Sequence, residues 1–340
     1  MNLTFPQLRS LPKVDLHRHL DCSMRWSTVV EIARDLKLEL DPIPGRSRGS
    51  YLVTDQMKDL GAVLRKFLKA QKVLASEEIL TRLAFEACED AFNDNVLMVE
   101  FRFAPTFITD GHSNLDATKI HRAFEKGLQM AEKKWGLITG LIGIVQRIKT
   151  LKEAEASINF FIENKSEYVG VDLADNEEGF EPKTFAPVFE KAKKAGLHVT
   201  IHSGETPHRD AGQWMLDSIK ILGAERIGHG VQCIHHPEVM RHLKDNQIPL
   251  EVCPLSNWLT QAFPRFEDHP LRKLMEAGVP LTLNSDDPGI FASTLTDDYE
   301  IAQRYHGFTT DHFRKANQLA FQKSFIPEFK KNSLKKVFHP

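Results

Sequence analysis

At 340 residues, with 44 Lys plus Arg against 46 Asp plus Glu and a net charge of −2, the chain has no field of one sign strong enough to draw nucleic acid or an anionic membrane. The length admits two ordinary domains or one α/β barrel with insertions. The four cysteines (Cys22, Cys88, Cys233, Cys253) lie far apart with no C-x-x-C, which argues against a disulfide framework or a thiolate zinc site and fits reduced thiols in the cytoplasm.

Residues 1–13 lack the basic start and apolar run of a secretory signal, and no apolar stretch is long enough to span a bilayer, so a cytoplasmic protein is expected. The first strand is read in Val14-Asp-Leu-His-Arg-His-Leu-Asp21. Alternation along a strand sends His17 and His19 to one face and Leu16 and Leu20 to the other. Two imidazoles aimed at one point need only one or two more ligands to hold a divalent ion, although the pair could equally be hydrogen-bonded or solvent-facing.

After that strand, Ser27-Thr28 followed by Val29, Val30, Ile32, Ala33 and Leu36 predicts a capped helix, and 41–50 predicts a turn. Leu60, Val63, Leu64, Phe67, Leu68 and Leu74 have helical spacing within 55–74, and 77–92 continues in the same way. This insertion is expected either to lie as a lid over the end of the first strand or to pack as extra core. Short apolar runs then recur at 97–105, 140–147, 169–175, 198–205, 226–231, 249–257 and 280–288, separated by helical stretches at 117–134, 151–164, 182–195, 213–222, 237–245 and 270–277. About eight βα units predict a closed (β/α)8 barrel in a single domain over 1–340, with extra helices between the first two strands and beyond 295. A doubly wound open sheet competes, but no G-x-G-x-x-G follows any strand. The basic stretch 330–336 is read as a solvated end.

A barrel of this kind does its chemistry at the C-terminal ends of its strands. The first run ends in His17, His19 and Asp21, and the fifth supplies His202 with Glu205 after a Ser203-Gly204 turn. The sixth places His229 between glycines, and the eighth ends in Asp286-Asp287 before Pro288. Each alone reads as a satisfied strand histidine or a turn carboxylate. Together at four strand ends they point to a metal hydrolase. Three histidines and a carboxylate suit zinc better than magnesium, and the fourth run has no lysine to bridge a second ion, so one metal per chain is expected.

With these residues in view, the chain resembles the adenosine deaminase family of the amidohydrolase superfamily. The matching motifs are Leu11-Pro-Lys-Val-Asp-Leu-His-Arg-His-Leu-Asp21, Val171-Asp-Leu-Ala174, His202-Ser-Gly-Glu205, Arg226-Ile-Gly-His-Gly230, Val252-Cys-Pro-Leu-Ser-Asn257 and Leu283-Asn-Ser-Asp-Asp-Pro288, in family order. The resemblance implies a distorted (β/α)8 TIM barrel and zinc-dependent replacement of the purine 6-amine by water. It implies His17, His19, His202 and Asp286 as metal ligands. Glu205 would protonate the ring nitrogen, and His229 would orient and deprotonate the attacking water. Asp287 would meet the purine, and His19 and Asp21 would reach toward the ribose 5′-hydroxyl.

Two positions depart from the family pattern: Cys22 and Asp175 stand where glycines are usual, and Asp175 replaces the one whose amide meets the purine. Members acting on adenine, or on larger nucleosides such as 6-aminodeoxyfutalosine, share the metal site and differ here. Asp21, in place of the glutamate of adenine-specific members, favours a nucleoside, and adenosine is the expected substrate. A non-catalytic nucleoside-binding protein is a further alternative, which Glu205 and His229 speak against.

Overall fold

The computed structural model describes residues 2–40 and 47–338. Eight parallel strands form one sheet in sequential order: β1 Lys13–His19, β2 Val96–Phe103, β3 Ile138–Gln146, β4 Tyr168–Ala174, β5 His198–Ser203, β6 Arg226–His229, β7 Leu250–Val252 and β8 Leu281–Leu283. Nearly every position along them is buried, as fits strands covered on both faces, between the barrel interior and the surrounding helices. This is the expected barrel with helices around it.

The ring is distorted where it closes. β1 and the end of β8 share no ladder beyond an isolated Arg18–Asp286 bridge, at which His19 N donates to Asp286 O (2.8 Å) and Asp286 N to His17 O (2.9 Å), with Ser285 Oγ donating to Asp15 Oδ2 at 2.5 Å beside it. Beside it a side chain takes the place of a ladder partner, Leu16 N donating to Asn284 Oδ1 at 2.9 Å. The β1–β2 register also slips between Asp15 and Arg18, the stretch that contains His17.

The barrel interior is ionic as well as apolar. Arg226 pairs with Glu100 and Glu251, each at 2.6 Å, and Arg102 pairs with Glu251 and Asp172, each at 2.8 Å, all fully buried. The lower end is sealed by the C-terminal helices: Glu100 Oε1 accepts Ser324 Oγ (2.7 Å) and Phe325 N (2.5 Å), and Val14 N donates to Asn317 Oδ1 at 2.8 Å.

Three local expectations fail in whole or in part. The helix at Trp26–Asp35 begins before Ser27 and has no side-chain cap. Of the 41–50 turn, 41–46 lies outside the described residues, and Ser47–Tyr51 is a short helix. The 55–74 stretch is helical only over Leu60–Gln71, where Asp59 caps the first turn by accepting from Ala62 N at 2.7 Å. Among the described residues no helix is long and apolar enough to cross a membrane.

Candidate metal and active site

The strand ends bring the predicted residues together. His17 Nε2 lies 3.2 Å from Asp286 Oδ1, His19 Nε2 lies 3.3 Å from the same oxygen, and His19 Nε2 lies 3.2 Å from His202 Nε2. A tetrahedral zinc with ligands at ~2.0–2.2 Å has ligand–ligand edges of about 3.3 Å. The protonation pattern makes the same point. Glu251 Oε2 is hydrogen-bonded to His17 Nδ1 at 2.8 Å, so that carboxylate holds the proton on the outer nitrogen and leaves a lone pair on Nε2, and Asp172 Oδ2 lies 2.8 Å from His202 Nδ1 as a charge neighbour without a hydrogen bond to it. His17 Nε2 is buried and makes no hydrogen bond. Its lone pair and the Asp286 carboxylate repel one another unless a cation lies between them. The donor set therefore fits a divalent ion.

His229 joins His17, His202 and Asp286 in one cluster, yet its Nε2 is 3.9 Å from Asp286 Oδ2 and 3.6 Å from Glu205 Oε2. That position faces Glu205, while His19 approaches the same cluster through Asp286 and His202. Burial, with Asp286 and Glu177 nearby, pushes the Glu205 carboxyl well above its usual range, which favours its acid form. Burial likewise holds His229 well below its usual value, and therefore neutral. The adjacent carboxyls divide. Burial opposes ionisation of Asp286, but the imidazoles packed around it, His17 first, keep it well below the usual range, whereas burial and the neighbouring Asp286 push Asp287 well above it.

The backbone at this centre is unusual. Asp175 (φ 92°), His229 (φ 58°) and Asp286 (φ 61°) all occupy the left-handed region, which costs a non-glycine residue about 1–2 kcal/mol. Such strain persists where surrounding structure over-determines it, as at functional sites. Gly228, next to His229, has a packing role: a Cβ there would stand 3.0 Å from His17 Cε1.

A small inner cavity of about 50 Å³ lies against His19, His202, Glu205, His229, Asp286 and Asp287. Asp287 Oδ1 is buried there with no hydrogen-bond partner. Asp21 lies outside it, in an adjoining chamber of about 280 Å³ that also holds Gln146, Phe107 and Ile148. Asp175 borders both spaces, its carboxylate accepting from Gln146 Nε2 (2.9 Å) and from Asn176 N (2.7 Å). The apolar stripe of the 60–71 helix faces both: Leu60, Val63, Leu64 and Phe67 line the inner cavity, and Leu64, Phe67 and Leu68 the outer. The insertion thus lies over the site.

Sequence reasoning missed the residues that hold the site in shape. Besides Glu251, Asp172 and Arg102, these include Glu177, whose carboxylate accepts from Gly204 N (2.8 Å), Glu205 N (2.8 Å) and Thr206 N (3.2 Å) and so sets the turn that presents Glu205. Their signal was a charged residue in the middle of an apolar strand, or in the case of Glu177 just after one.

A family model described as Adenosine deaminase matches residues 12–339. The adenosine deaminase of Plasmodium knowlesi is 32% identical over 334 residues, which is 97% of this chain and 91% of that protein. Among solved structures, an adenine deaminase from Arthrobacter aurescens superposes with a TM-score of 0.88 at 24% identity, over 97% of this chain and 98% of that one, a likeness of fold. The N6-mAMP deaminase of Arabidopsis superposes with a TM-score of 0.84 at 29% identity, over 97% and 98%.

Proposed function

The chain belongs to the adenosine deaminase family and is a metal-dependent hydrolase, and from that premise we propose that it hydrolyses adenosine to inosine and ammonia at a single zinc site. The observation that carries this reading is the convergence of His17 and His19 on Asp286 at 3.2 and 3.3 Å and of His19 on His202 at 3.2 Å, beside a buried Glu205 whose carboxyl is held well above its usual range. His17, His19, His202 and Asp286 would hold the ion, and a bound zinc supplies Lewis acidity that brings the pKa of water to about 7.

The protein's own groups do the rest. Glu205 donates its proton to the ring nitrogen beside the attacked carbon, which removes the charge that would otherwise build there, a contribution of ~10²–10⁴-fold. His229 orients the attacking water. Asp287, whose carboxyl burial and Asp286 push well above the usual range and whose Oδ1 has no partner, would meet a purine nitrogen. Asp21 and His19 take the ribose 5′-hydroxyl, and the Asp175 backbone borders the ring. The 60–71 helix excludes bulk water.

A second reading keeps the reaction and enlarges the substrate to an adenine nucleoside extended at its 5′ end. It is favoured by the outer chamber, whose walls include Leu64, Phe67, Leu68, Phe107, Ile144 and Ile148, an apolar surface with no counterpart on a bare ribose. Asp21, Asp110 and Asp175 face the same space with one cation, Arg65, which disfavours a 5′-phosphate.

The test is a panel of adenosine, adenine, AMP and 5′-alkylthio adenosines with zinc-loaded protein, followed by ammonia release. Adenosine turnover is expected. An apolar 5′ substituent raising kcat/KM about tenfold or more would establish the second reading. No turnover of any 6-aminopurine would refute both.

A further inference from the structure

The Cys-Pro-Leu-Ser-Asn segment ends in Asn257, a fully buried side chain to which none of the roles above is given. It lies between two imidazoles, with Nδ2 3.1 Å from His229 Nδ1 and Oδ1 3.1 Å from His269 Nε2. His269 Nδ1 in turn accepts the backbone N–H of Leu271 at 3.1 Å. The direction of every bond in this chain is fixed from that end. A backbone amide can only donate, so His269 Nδ1 carries a lone pair and the neutral ring has its proton on Nε2. That proton goes to the amide oxygen of Asn257, which leaves the NH₂ group facing His229. Nδ1 of His229 is then an acceptor, and its own proton sits on Nε2, the atom that faces Glu205 and Asp286. Turning the Asn257 amide over would require lone pairs on both nitrogens of His269, an imidazolate. Burial, which holds His269 down to about 3, keeps that ring neutral as the chain requires.

We propose that Leu271 N–H, His269 and Asn257 form a relay that fixes His229 as an Nε2–H donor, so that it orients and stabilises the reacting oxygen and takes no proton from it. This rests on the deaminase reading of the site. It corrects the deprotonating role that family resemblance implied for His229. The proton balance then closes on Glu205. Its acid form gives a proton to the ring nitrogen while the water oxygen bonds to the carbon, and the carboxylate so formed takes the proton that the water releases. When the carbon–nitrogen bond breaks, that proton leaves with the amine as ammonia, and the new hydroxyl returns its proton to Glu205 as the carbonyl forms. No other acid or base is needed.

Long-range ¹⁵N imidazole NMR of the zinc-loaded protein reads the tautomer directly. His229 is expected with a protonated Nε2 and a bare Nδ1, and a protonated Nδ1 overturns the proposal. Asn257→Asp offers an acceptor to both rings and moves the His229 proton to Nδ1. It is expected to reverse the NMR pattern and to lower kcat by about 10²–10⁴-fold, with zinc content and KM little changed. Asn257→Asp with wild-type kcat also overturns it. His269→Gln, whose amide can still donate to Asn257, is expected to keep most of the activity that His269→Leu loses, and equal losses in the two count against the relay. An inactive wild-type protein with the expected tautomer would sink the deaminase reading and leave the relay standing.

Discussion

His17 is held from two sides, and each hold has a separate consequence. Its Nδ1 faces Glu251, and burial raises the cost of that carboxylate's charge while Arg102 and Arg226 more than offset it, so Glu251 stays ionised well below the usual range. Glu251→Gln keeps the volume and removes the charge. It is expected to weaken zinc binding by about 10–100-fold, measured by competition with a chelator, because the ring loses both its fixed tautomer and part of its basicity. The same change leaves two buried guanidinium groups short of a partner, so it should also destabilise the fold by about 3–5 kcal/mol in denaturant titration. Unchanged zinc affinity would remove Glu251 from the metal's support. Glu205→Gln makes the opposite separation. The acid proton is lost while the ligand tetrahedron is untouched, so kcat should fall ~10²–10⁴-fold at normal zinc content. Zinc loss in that variant would mean that Glu205 has been given the wrong task.

At the scale of elements, the 60–71 helix covers the site from above, and its anchorage is modest. Leu64 and Phe67 are only partly buried, Leu68 is 52% exposed, and the first turn depends on the Asp59 cap. Loss of a cap costs about 1 kcal/mol, close to a fivefold shift in a local opening equilibrium. Asp59→Ala should therefore speed amide exchange across 60–71 by about fivefold and raise KM, with the melting temperature little changed. A fall in melting temperature with unaltered local exchange would show that this helix belongs to the cooperative core and does not act as a cover. The sequence already showed the stripe at Leu60, Val63, Leu64 and Phe67, since helical periodicity needs no tertiary information. It could not tell a face that meets a cavity from one that meets core. The candidate site residues were legible for a related reason: His17, His19, His202, His229 and Asp286 sit at or near strand ends, where a polar residue has little structural excuse. Their supports were not. Glu100, Arg102, Asp172 and Glu251 lie inside three runs that read as ordinary strands, and only closure of the ring brings those interiors within hydrogen-bond distance of one another. The caps were the least secure reading, because Ser27-Thr28 offered a side chain that the 26–35 helix does not use.

In the whole molecule, closing the barrel and building the metal site are the same event. Between β3 and β4 a ladder of six residue pairs joins the strands, and β2 and β3 are joined as extensively, whereas β1 and β8 share a single bridge at Asp286. That seam relies on His19 N to Asp286 O, Asp286 N to His17 O and Leu16 N to Asn284 Oδ1. Three of the four proposed ligands, His17, His19 and Asp286, thus lie on the two edges that meet there, and the fourth, His202, reaches in from β5. An ion among them ties the weakest joint of the ring to its opposite side. Without the ion that tie to β5 is lost, and the joint is left to its own few hydrogen bonds. Zinc removal should therefore act locally before it acts globally. Amide exchange at Leu16, His19 and Asp286 is expected to accelerate well before that of Ile142 or Val171 in the β3–β4 ladder. Zinc at ~1,000 times its dissociation constant should restore about 4 kcal/mol of stability by mass action. Uniform acceleration along all eight strands would mean that the ion stabilises the fold without bracing the seam. Unchanged exchange at the three seam amides would mean that β1 and β8 hold together without it, leaving the metal a purely chemical role.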